Sequence, residues 1–128
     1  MGYHMRQEDS KFQIDEFYVS AAMDAIKNLL LGAPNYFFFM DRSCVNKNTL
    51  KDIMHECRWD VQEDDEGNIY DISFNGEKYR DDNTLFRTLS PFVKSGSYIE
   101  MIGEEGDRWR WCFDNGEFEE KYATVVWK

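Results

Sequence analysis

The sequence predicts an α+β fold. We expect a single domain over residues 1–128, built on a mainly antiparallel sheet of about six or seven strands with three helices packed on it, in the order β-α-β-α-β-β-α-β-β-β. Three observations lead there. The chain has 128 residues, 42% apolar and 16% aromatic, which suits one core and is too apolar for a disordered segment. Apolar residues recur at helical spacing in three stretches and at a period of two elsewhere. Turn-forming clusters separate these stretches, with no internal repeat, low-complexity tract or linker.

The elements follow in order. Lys11-Phe12-Gln13-Ile14-Asp15 alternates and predicts a short first strand. A helix opens at Glu16 or Ser20 and runs to Leu31, with Ala22, Ile26, Leu29 and Leu30 on one stripe and Gly32-Ala33-Pro34 as its stop. Tyr36 to Met40 reads as a buried strand, and Asp41 to Lys47 as irregular chain. Asn48-Thr49 caps a second helix carrying Leu50, Ile53, Met54 and Cys57. Trp59 to Val61 and Asn68 to Asn75 form a hairpin around the turn Asp64-Asp65-Glu66-Gly67-Asn68. Asp81 to Thr84 starts a third helix with Leu85, Phe86, Leu89, Phe92 and Val93 inward, and Pro91 predicts a break near Ser90. A meander closes the chain: Ser97 to Gly103, Arg108 to Asp114, and Glu117 to Trp127. Strand parity puts Trp109, Trp111 and Phe113 on one face. Arg108, Arg110 and Cys112 take the other, where either Arg can meet Glu100 or Glu119.

Charge adds a functional constraint. The chain carries 25 Asp and Glu against 15 Lys and Arg, a net of -10. Residues 60–107 hold 13 acidic and 4 basic residues, so nearly the whole excess sits in this middle stretch. A negative surface repels phosphate, so direct nucleic-acid binding is not expected. The acidic clusters, Glu63 to Glu66, Asp81-Asp82 and Glu104 to Asp107, also suit turns and a helix start for local reasons. If the two turns converge, they make a patch for a basic protein surface, with carboxylates in place of phosphates. That reading names Asp64, Asp65, Glu66, Glu104, Glu105 and Asp107 as partner-binding residues.

No catalytic signature accompanies them. Around Gly67 an EF-hand spacing would put Gln62 and Ser73 where the strongest ligands belong, so no metal is expected. His55 and Cys57 lie on different helix faces, and no nucleotide-binding glycine motif occurs. We therefore expect no cofactor and no enzymatic activity. Cys44, Cys57 and Cys112 are an odd, sparse set, which favours a reducing cytoplasm over a disulfide framework. The opening residues lack a signal-peptide core. The longest apolar run, Tyr36 to Met40, is far short of the roughly 20 residues a membrane span needs.

Several strings carry a resemblance: Met1 to Gln7 with Asp9 to Phe12; Trp59; Asp65 to Ile69; Phe74 to Lys78; Pro91 to Val93; Gly96 to Met101; Gly103-Glu104; and Trp109 to Trp111 before Phe113-Asp114. Together they resemble small acidic proteins of bacteria and their phages. The resemblance omits Leu29 to Asn48, implies a bacterial or mobile-element setting, and brings no activity or catalytic residue with it.

The leading expectation is a non-enzymatic protein-binding effector: a small acidic inhibitor, of phage anti-defence or immunity type, on a basic partner surface. One alternative is a small-ligand or nucleotide-binding module that uses the Trp109, Arg110 and Trp111 strand as a platform. Another is an accessory protein that assembles with copies of itself.

Overall fold

The computed structural model describes residues 3–32, 48–79 and 82–123. Its elements are β1 (Met5–Lys11), α1 (Glu16–Gly32), α2 (Leu50–Glu56), β2 (Trp59–Glu63), β3 (Ile69–Phe74), α3 (Asp82–Leu89), β4 (Tyr98–Gly103), β5 (Arg108–Asp114) and β6 (Glu117–Tyr122). The fold is α+β, as predicted. All strand pairs are antiparallel, in a sheet ordered β1-β4-β5-β6 and a hairpin β2-β3. The predicted strand Tyr36 to Met40, the irregular stretch to Lys47 with Cys44, and the end of the last predicted strand from Thr124 lie outside the described residues.

The first strand is a correction: it is Met5–Lys11, not Lys11 to Asp15. Only Met5 of this strand is buried, so no apolar alternation marks it. Backbone pairing makes it instead. One edge is bonded to β4, with Met5 opposite Gly103 and Lys11 opposite Tyr98. The other edge faces β3 through a gapped seam. Ile14 and Ile69 exchange backbone bonds at 3.0 and 2.9 Å, and the Met5 N–H donates to the Glu77 carbonyl at 3.0 Å. Between them the Gln7 amide fills the gap, donating to the Ile72 carbonyl at 2.9 Å and accepting from the Phe74 N–H at 2.7 Å. The Ser10 hydroxyl donates to Asp71 at 2.7 Å. Side chains thus replace a backbone ladder and join hairpin to sheet.

The helices follow their apolar stripes. α1 buries Ala22, Ile26 and Leu30; α2 buries Leu50, Ile53 and Met54. Thr49 caps α2, its hydroxyl accepting from the Asp52 N–H at 3.1 Å. α3 stops at Leu89, and Ser90–Phe92 forms a 3₁₀ turn, the break that Pro91 predicts.

Trp111, Phe113, Trp59, Phe86 and Phe12 meet at the centre, all 1% exposed or less. Trp111 lies 5.2 Å from Phe86 and 6.0 Å from Trp59, ring centre to ring centre. Side chains of this size contribute about 1.5–3 kcal/mol each on burial, so this cluster dominates the core. A deep polar tie runs from it, Trp59 Nε1–H to the buried Asp82 carboxylate at 2.9 Å.

Candidate functional site

The topology decides whether the two acidic turns make one patch. The β2-β3 turn lies beside Ile14, beyond the C-terminal end of β1, through the Ile14–Ile69 bridge. The β4-β5 turn lies at the other end of β1, where the Glu104 N–H donates to the His4 carbonyl at 2.9 Å. Between them runs all of β1, roughly 20 Å for its seven residues. Asp64, Asp65 and Glu66 form one group, and Glu104, Glu105 and Asp107 another. All six are exposed, and they do not converge. A single patch formed by both turns is therefore corrected to two separate acidic ends.

At the β4-β5 turn the carboxylates hold structure. Glu104 accepts from the His4 N–H at 2.8 Å, and Asp107 accepts from the Tyr3 hydroxyl. That bond pushes the Tyr3 phenol above its ordinary range. Gly103 makes the approach feasible, because a Cβ there would collide with the Tyr3 ring and the Asp107 carboxylate. Here the sequence's local explanation of acidic turns holds: these charges anchor the first residues described.

At the β2-β3 turn only Asp64 works this way. One of its oxygens accepts from the N–H groups of Glu66 and Asn68, both at 2.9 Å, and the other from the Asn68 amide at 3.2 Å. Desolvation pushes the Asp64 pKa up, but the Asn68 and turn N–H bonds prevail and hold it below its ordinary value. Asn68 then accepts from the Glu16 N–H at 2.8 Å, which fastens the turn to the start of α1. Asp15 begins that helix, accepting from the Phe17 N–H at 2.9 Å. Asp15, Glu16, Asp65 and Glu66 therefore share one end of the molecule.

Sequence reasoning missed the aromatics there. Phe17 is 79% exposed, and its ring packs edge-on against Tyr18 at 5.1 Å. Tyr70, half exposed, shares a cleft of about 250 Å³ with Asp15, Asp64 and Lys94. A signal was available. Val19, Ala22, Ile26 and Leu30 face the core, and two residues of helix turn about 200°, so Phe17 must point the opposite way from Val19.

The Trp platform is also corrected. Trp109 is 7% exposed and Trp111 fully buried, so the face that parity gave them in common is the inward one. Arg110, on the outward face, donates to Glu100 at 2.7 Å and covers the Tyr98 ring at 4.6 Å. Arg108 reaches the same Glu100 at 3.6 Å. The bond to Glu100 raises the Arg110 pKa further, so this guanidinium is committed to the sheet.

A surface dyad went unseen because its members join a helix to the strand after it. The His55 Nδ1 lies 2.6 Å from Asp60, whose other oxygen accepts from the Asn75 amide at 2.8 Å. The Asp60 bond raises the His55 pKa, and the His55 bond lowers that of Asp60. The three side chains form a local clasp, and their bonds reach no hydroxyl or thiol nucleophile. Among the described residues no group of three or more His, Cys, Asp or Glu is placed to hold a metal ion. No described helix is long and apolar enough to cross a membrane.

No protein-family model, curated protein or solved structure matches the chain.

Proposed function

We propose that this chain is a non-enzymatic, protein-binding effector that docks on a basic partner surface with its α1-start and hairpin-tip end. The carrying observation is Phe17, 79% exposed beside Tyr18 at the start of α1, the end to which Asn68 fastens the hairpin turn. An exposed aromatic pair loses little conformational entropy on binding and offers a large contact area. The carboxylates around it supply steering and select a cationic partner. The fitting partner is a protein groove built for phosphates, such as that of a nucleic-acid-binding protein, in a bacterial cytoplasm. That is the setting of an anti-defence or immunity-type inhibitor.

The test is capture of the partner from a host lysate by the tagged chain, by Phe17→Ala and by the double variant Asp65→Lys/Glu66→Lys. A partner held at low salt, released at high salt and lost by both variants supports the reading. A partner held equally by all three chains, or held independently of salt, overturns it.

A further inference from the structure

Away from the docking end, and independent of it, the Tyr3 end contains a cavity of about 290 Å³ between the β5-β6 strands and the start of α3. Tyr3, Trp109 and Tyr122 give it aromatic walls, and Asn83, Asp107 and Glu120 its polar ones. Trp109 is more than nine-tenths buried, yet its Nε1–H meets no acceptor among the described residues. The Asn83 Oδ1, screened from solvent in the same wall, meets no donor among them. The other core indoles behave differently: Trp59 donates to Asp82 at 2.9 Å and Trp111 to Glu120 at 3.0 Å.

A buried donor and a buried acceptor left unpaired beside one cavity are the condition a ligand relieves, because the penalty of leaving them unmade is lifted on binding. We propose that this cavity binds a planar nitrogen heterocycle of the nucleobase class, carried on a nucleoside. The reasons are chemical. Such a ring presents a C=O or ring nitrogen for the Trp109 N–H, next to an N–H for Asn83. Its faces suit the Tyr3 and Tyr122 rings. Asp107 and Glu120 sit in the wall with no Lys, Arg or His among the described lining residues, so a phosphate is repelled. The ligand is therefore a nucleoside rather than a nucleotide. An exposed Trp109-Trp111 stacking surface is not needed, since Trp109 takes part by its edge.

The indole N–H resonances of the ¹⁵N-labelled, unaltered chain provide the test, with adenosine, guanosine, cytidine and uridine as probes and their 5′-monophosphates as the charged arm. The proposal expects a saturable shift of the Trp109 signal with at least one nucleoside, weaker with its monophosphate, while the Trp59 signal, whose N–H is tied to Asp82 away from the cavity, stays in place. Trp109→Phe, which keeps a ring and removes the N–H, then weakens binding about tenfold, and Asn83→Ala does likewise. No saturable shift with any of the four nucleosides, or equal binding of the monophosphates, overturns it. If either variant fails to fold, the titration of the unaltered chain still decides.

Discussion

The two acidic ends of this molecule have nearly the same composition and opposite uses of it. At the β4-β5 turn, Glu104 and Asp107 point back into the fold and hold His4 and Tyr3. At the β2-β3 turn, Asp64 is the one carboxylate of the turn that bonds the loop, while Asp65 and Glu66 stay exposed at the end where α1 begins with Phe17 and Tyr18 on its surface. Charge density alone does not tell a structural acidic turn from a docking one. What separates them is the destination of each carboxylate and the company of exposed aromatics.

The comparison can be broken by mutation, starting at the seam that holds the two ends apart. Gln7→Leu removes the amide that serves both the Ile72 carbonyl and the Phe74 N–H. We expect a loss of about 2–3 kcal/mol in denaturant unfolding, because two backbone groups lose their partner. Gly103→Ala drives a methyl against the ends of the Tyr3 and Asp107 side chains, which must swing aside and give up their bond, with an expected loss of about 1 kcal/mol and a lower melting temperature. At the other end, Phe17→Ala removes a ring that is 79% exposed. Its effect on unfolding should stay within about 0.5 kcal/mol, while partner capture is lost. A large stability loss there would mean that the ring belongs to the fold rather than to an interface.

The smallest effect is on pH dependence, at a clasp belonging to neither end. His55 holds its proton more tightly folded than unfolded. Its contribution is complete below the ordinary His value of 6.5 and fades as pH rises through the raised folded value. Asp60 contributes above its ordinary 3.8 and loses that contribution as pH falls through its lowered folded value. Asp60→Asn should return the His55 titration, followed by proton NMR, towards 6.5 and flatten the stability profile above that pH. An unchanged His55 titration would contradict the clasp.

Sequence periodicity made most of the fold legible. Parity grouped Trp109, Trp111 and Phe113 on one face, helical spacing found the buried faces of α1 and α2, and Pro91 marked the end of α3. β1 was not legible, because Gln7 and Ser10 hold it by polar bonds to a hairpin more than sixty residues away in sequence. Periodicity does not encode such pairing. The acidic turns were legible as turns, but their separation follows from β1 lying lengthwise between them. The unpaired Trp109 N–H was beyond reach for a related reason: parity tells which face a side chain takes, not whether its polar atom finds a partner there.

Site-directed photo-crosslinking compares the two ends most directly. A photo-reactive residue is placed at position 17 in one chain and at position 105 in another, and each chain is irradiated with its captured partner. The account predicts an adduct from position 17 that disappears with Asp65→Lys/Glu66→Lys, and none from position 105. Adducts from position 105 alone would place the interface at the Tyr3 end and contradict it.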